Sequence, residues 1–387
     1  MSNNQKNNIV ALTKRLLNKN LIFVLFFAIF NFCNWFTSTS SAQLSFATYS
    51  NEFLKIGVGA QALGMSNAVV ASTSDVNSAY WNPAGLAQLK SNLEASFMHS
   101  EYFGGITKYD FGAIASRIDS NSVFAFSLIR LGVDNIPNTT LLIDPSGNIN
   151  YDNITQFSIA DYAFMFSYAR NTKIPGLRIG ANVKIVRRLI GDFGGAWGFG
   201  FDAAAQYDYK SWNFGAVLRD ATTTFNAWSY NLPATMIATF QQTGNVLPSN
   251  SYEVTLPSLL FGASRSFKIN KNLNVRAEVD AMTTFDGERN SLLSSQGFNI
   301  DPCIGLEFGY KNLLFFRVGA GNYQRLSDIN GNKYATIEPS IGVGVHYRTI
   351  TLDYALANMG DQSSVLYSNV FSLKLAFVKH SHQTIPN

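Results

Sequence analysis

The 387-residue chain is only 14% charged, against the usual quarter, yet it is 14% aromatic, with 31 Phe and 17 Tyr, and has a mean hydropathy of +0.03. The first 42 residues hold four of the 29 Lys and Arg and none of the 25 Asp and Glu, so the remainder carries 25 of each sign, which excludes the basic footprint of a nucleic-acid binder. The two cysteines, Cys33 and Cys303, exclude a disulfide framework and a cysteine metal cluster. The chain opens with Lys6, Lys14, Arg15 and Lys19, then an apolar run from Leu21 to Trp35, then small residues up to Ala42. That layout predicts a signal peptide over 1–42, cleaved before Gln43, and hence export. The apolar run falls short of the ~20 residues that a spanning helix needs.

Next comes FLKIGVGAQALGMSNAVVASTSDVNSAYWNPAGL, Phe53 to Leu86. Its many small residues allow close backbone approach, and neither a helical nor a strand period persists through it. Asp75 and Asn77 are placed to satisfy local backbone donors; Pro83 is expected to open a short helical turn after Trp81-Asn82, and Gly85 to relax it. The run from Phe53 to Met65 followed by YWNPAGL resembles the N-terminal signature of the PorV/PorQ family, outer-membrane β-barrels of Bacteroidetes akin in fold to the FadL fatty-acid transporter. The resemblance is to a generic member of that family. It implies that residues 43–91 form a hatch inside a barrel, with Gly57, Gly59, Ala60, Leu63, Gly64, Met65, Asp75, Asn77, Trp81, Asn82, Pro83 and Gly85 as its motif.

Downstream the chain alternates with a period of two. Leu273, Val275, Ala277, Val279 and Ala281 share one face, and Asn274, Arg276, Glu278 and Asp280 the other; one face suits lipid and the other water. Fourteen such segments are predicted, at 93–99, 109–116, 122–130, 157–169, 177–188, 196–207, 212–219, 258–266, 273–283, 301–310, 314–320, 336–347, 350–356 and 369–377. Connections after even-numbered segments are short, whereas those after odd-numbered ones are mostly longer, above all 131–156 and 220–257. Short periplasmic turns alternating with long outer loops mark an outer-membrane barrel. The fold class is therefore all-β, a transmembrane antiparallel barrel of about 14 strands over 92–378 with a hatch in its lumen. The last strand resembles the C-terminal strand read by the barrel-assembly machinery, and 379–387 reads as a solvated tail.

No catalytic constellation, phosphate loop, metal cluster or cofactor motif is present. The glycines of 194–200 are attributed to barrel curvature, and Asp75 with Asn77 lacks the remaining ligands of a calcium loop. Lys184, Arg188, Asp202, Arg276, Glu278, Asp280, Glu307, Arg317, Asp353 and Lys374 fall on the inward face with mixed signs, as expected of paired networks that brace the hatch. The two longest outer loops expose Leu142, Ile143, Phe225, Trp228, Tyr230 and Phe240 as contact candidates. The resemblance implies a non-enzymatic carrier or scaffold in type IX secretion, embedded in outer-membrane lipid. Its loops would meet translocon or attachment-complex proteins, or the C-terminal domains of secreted proteins. The alternative is a FadL-like channel for hydrophobic small molecules, with an apolar ligand held between hatch and loops.

Overall fold

The computed structural model describes residues 50–143, 147–328, 330–357 and 367–377; the leader, the start of the hatch at 43–49 and the tail at 379–387 lie outside them. The strands are β1 Leu93–Tyr102, β2 Thr107–Arg117, β3 Ser122–Asn138, β4 Thr155–Asn171, β5 Leu177–Ile190, β6 Gly194–Tyr209, β7 Trp212–Arg219, β8 Thr224–Tyr230, β9 Ser251–Thr255, β10 Ser258–Lys268, β11 Leu273–Thr284, β12 Leu293–Ser294, β13 Asn299–Tyr310, β14 Leu314–Ser327, β15 Lys333–Tyr347, β16 Ile350–Ala357 and β17 Ser368–Phe377. Fourteen of them form the ring: β1 to β7, β10, β11 and β13 to β17, all antiparallel. The ring closes where β17 pairs with β1, from Leu93↔Phe377 to Glu101↔Asn369. Closure leaves no open edge in the hydrocarbon region, which a membrane-spanning sheet requires.

All fourteen predicted segments lie in ring strands. The region 220–257 is a correction: it contains β8 and β9, not only loop. β8 pairs with the start of β6, and β9 pairs with β8, so the two carry β7 and β10 onward past a break at 220–223. Asp220 and Thr223 have φ of 52° and 60° there. No strand period survives two left-handed residues, which is why the sequence pattern ends at Arg219. Phe225, Trp228 and Tyr230 thus stand on a strand of the wall. Trp228 is buried under the Arg188 guanidinium, 5.1 Å from its ring centroid, and is no loop contact. The glycines of 194–200 answer to close approach rather than curvature alone: a Cβ at Gly198 or Gly200 would collide with Asn226 or Thr224 of β8.

Register sorts the outer face into rows. Phe97, Gly112, Leu128, Phe164, Ile185, Phe199 and Phe225 pair consecutively across β1 to β6 and β8, one apolar row. The next row toward the long loops is His99, Asp110, Arg130, Tyr162, Arg187 and Trp197. There Asp110 accepts from His99 at 2.7 Å, and Arg187 lies over Trp197. The apolar band ends on this side where the row turns polar and aromatic, as at a headgroup boundary.

The residues from Ser50 to Ser91 lie inside the ring. They bring a buried cluster, including Val58, Tyr80 and Trp81, against Met98, Tyr102, Tyr109, Phe111, Ile129 and Met165 of β1 to β4. Elsewhere the segment meets glycine. A Cβ at Gly180, Gly215 or Gly319 would come under 3.0 Å of the backbone at Pro83–Ala84, Val70 or Met65–Ser66, and one at Gly305 would strike Met65. Gly342 faces Gly64. Replacing Gly180 by Val should therefore lower the midpoint of heat-modifiable gel migration by the equivalent of about 1–3 kcal/mol. Gly112→Val, outward and uncrowded, should leave it within about 0.5 kcal/mol; equal effects would contradict the packing described.

Candidate binding site

The lumenal segment is built of short pieces. A 3-10 turn at Glu52–Lys55 and helical turns at Ala60–Leu63 and Ser78–Trp81 lead to a second 3-10 turn at Pro83–Gln88. Pro83 opens that last turn as its fixed φ allows, and the Asn82 side chain accepts from the Ala84 N–H. Gly85 does not relax it; it sits within the turn, where a Cβ would collide with the Thr73 carbonyl. Gly59 takes φ 84°, and Gly57 lies against Trp81. The Trp81 indole donates to the Val58 carbonyl at 2.8 Å, tying the two halves of the motif together.

Such a segment leaves many N–H and C=O groups without partners of its own. The wall supplies them. Asp280 Oδ2 accepts from the Val69 and Val70 N–H groups, both at 2.8 Å, and Glu278 Oε1 accepts from Ala71 and Ser72 at 2.7 and 3.2 Å. Ser372 and Ser340 accept from the Ala60 and Ser66 N–H groups. In return Asn182 donates to the Ala79 carbonyl at 2.8 Å and Gln206 to the Thr73 carbonyl at 2.9 Å. Asp75 accepts from the Asn77 N–H at 2.9 Å and also receives Lys374 of β17. These contacts come from β5, β6, β11, β15 and β17.

The inward charges are brought together in pairs. Lys184 meets Asp202 at 2.8 Å and Asp220 at 2.6 Å; Arg188 meets Asp161 and Glu253, each at 2.9 Å. Arg276 and Arg317 share Glu307, at 3.1 and 2.7 Å, and Arg317 reaches Asp353 at 2.7 Å. Arg317 is fully buried. Its removal leaves two buried carboxylates, so Arg317→Met should cost about 3–5 kcal/mol in urea unfolding from detergent. The double variant Arg317→Met, Asp353→Asn should recover part of that loss; no recovery would dissolve the pair. Among the described residues no cluster of His, Cys, Asp and Glu is placed to hold a metal. Cys303 is inward and half-buried, with a thiol that is free of any disulfide.

Between the segment and β10, β11 and β13 to β15 lies a cavity of about 370 Å³. Leu63, Val70, Trp81, Leu260 and Asp280 form its buried floor, while Glu52 and Asn322 at its rim are exposed, so it opens toward the loop end. At the rim Arg289 pairs with Asp286 and approaches Glu52 at 3.8 Å. Burial works to raise the Asp286 carboxyl, but the Arg289 hydrogen bond outweighs it and holds it below the ordinary value. Of the predicted hatch residues, Leu63 and Trp81 line this vestibule, with Asp280 from the predicted lumen network. Arg219, Leu260, Met282 and Asp301 were not singled out by pattern. Arg219 and Asp301 stand on the inward parity of their strands, which was the available signal.

No family model matches the chain, and no curated protein matches it in sequence. Solved structures do. The monoaromatic hydrocarbon channel CymD aligns over 84% of this chain and 99% of its own, with a TM-score of 0.51 at 13% identity. The Pseudomonas putida toluene transporter TodX aligns over 82% and 96%, with a TM-score of 0.50 at 13% identity. A Pseudomonas aeruginosa FadL homologue aligns over 83% and 98%, with a TM-score of 0.47 at 11% identity. The fold is thus the closed antiparallel barrel that CymD and TodX share. The PorV/PorQ resemblance of Phe53–Leu86 finds no counterpart in these comparisons.

Proposed function

We propose that the protein is an outer-membrane passage protein that receives small molecules with an apolar body from outside, in the vestibule above Trp81. The observation that carries this reading is the vestibule itself. It has the size of a small-molecule site, it opens outward, and it lies beside glycine contacts and ion pairs that fill other parts of the lumen. Two neighbours of like fold, a monoaromatic hydrocarbon channel and a toluene transporter, support the same direction.

Calorimetric titration of the purified protein with toluene tests it. Met282→Trp, which fills the vestibule from β11, should weaken binding about tenfold or more, a loss of about 1.4 kcal/mol, with heat-modifiable migration intact. Unchanged affinity in that variant would remove the vestibule as the site. The outer loops favour a second surface: Ile143, Ile149 and Tyr151 are 64%, 60% and 72% exposed. On the type IX reading these residues would meet secreted domains, and recovery of exported proteins with the native barrel from outer membranes would favour it.

A further inference from the structure

The inward cations follow one rule. Lys184, Arg188, Arg276, Arg317 and Lys374 each stand within 4.0 Å of a carboxylate. Arg219 breaks the rule. Its guanidinium lies 4.7 Å from the Tyr80 ring centroid and 5.8 Å from that of Trp81, and donates to the Tyr80 carbonyl at 3.3 Å. Among the described residues no carboxylate pairs with it. Asp301 of β13 is the converse, an inward carboxylate with no hydrogen bond and no ion pair within 4.0 Å among the described residues, Arg289 and Lys55 of the same cavity being the cations that act on it from further off. Asp280 is 4% exposed, and its Oδ1 has no partner, although Oδ2 accepts two backbone N–H groups. All three line the same vestibule, with Trp81, Val70, Leu260 and Met282 between them.

Exceptions to charge pairing that gather at one cavity describe what fills it. A neutral hydrocarbon would leave Arg219 and Asp301 without a direct partner. An anionic amphiphile would satisfy Arg219 and crowd Asp301, whereas a cationic one would do the reverse. A molecule that carries both charges on one apolar body gives Arg219 and Asp301 each a direct partner. We infer that the vestibule binds amino-acid-type zwitterions with an apolar or aromatic side chain, Arg219 taking the carboxylate and Asp301 the ammonium. The inference rests on the passage reading above and names its substrate class. Trp81, already stacked beneath Arg219, offers the face on which such a side chain would lie.

Four probes that share one phenyl-ethyl body separate the possibilities: phenylalanine, 3-phenylpropanoate, phenethylamine and ethylbenzene, each titrated calorimetrically into the full-length protein in detergent. Phenylalanine should bind about tenfold or more tightly than each of the others. Arg219→Met should bring phenylalanine down to the level of phenethylamine, and Asp301→Asn to that of 3-phenylpropanoate, while Arg219→Lys retains the carboxylate preference. Heat-modifiable migration checks each variant's fold, and if Arg219→Met does not fold, Asp301→Asn still decides the matter. Ethylbenzene binding as tightly as phenylalanine, or phenylalanine affinity unmoved by Asp301→Asn, would overturn the zwitterion assignment and leave the passage reading standing. Failure of all four probes to bind would overturn both.

Discussion

An irregular backbone inside a barrel has no ladder of its own, and the buried N–H and C=O groups that its short turns leave unpaired must find partners on the wall. The rest of this structure follows from that requirement. The segment from Ser50 to Ser91 is too small-residued and too broken by Gly57, Gly59 and Pro83 to be a helix or a strand. Its amides are therefore bound from outside, by Asp280 and Glu278 on one strand and by Ser372 and Ser340 on others. Side chains can reach backbone only if the backbone comes close. Gly180, Gly215, Gly305, Gly319 and Gly342 are the positions at which the wall lets it do so.

The two sides of the lumen solve the packing differently. Toward β1 to β4 the segment presents Val58, Tyr80 and Trp81 to an apolar wall, and the stabilisation there is burial of surface. Around β5 to β7 and β11 to β17 the wall is charged, and the charges are tolerated because they meet each other or the segment's amides. The vestibule lies on the charged side, where one guanidinium and two carboxylates are left facing a common space. Among the described residues the lumen is thus filled toward β1 to β4 and left partly open at the vestibule.

The barrel was legible because a period of two repeated across fourteen segments, with short and long connections alternating, is hard to produce in any other way. The inward parity of Lys184, Arg317 and Asp353 was legible for the same reason. Less legible were the departures from that period. Asp220 and Thr223 adopt left-handed backbone at a break that no residue type announces, so Trp228 read as loop and turned out to be a buried wall residue. The wall glycines were visible at alternate inward positions, but parity alone does not say what approaches them. Their role depends on a segment more than a hundred residues distant in some cases, and long-range backbone contact leaves no local pattern. Arg219 was missed because an unpaired charge is recognisable only after the paired ones have been placed.

The segment precedes β1 in the chain, yet it is held by β17 as well as by the strands between: Ser372 accepts from Ala60, and Lys374 reaches Asp75. Both of these β17 residues lie in the stretch that pairs with β1 to close the ring. A finished barrel offers no gap through which so tightly fitted a segment could be threaded. Seam and filling are consequently one event in assembly. A strand that follows all the others described completes its pairing around a segment that precedes them.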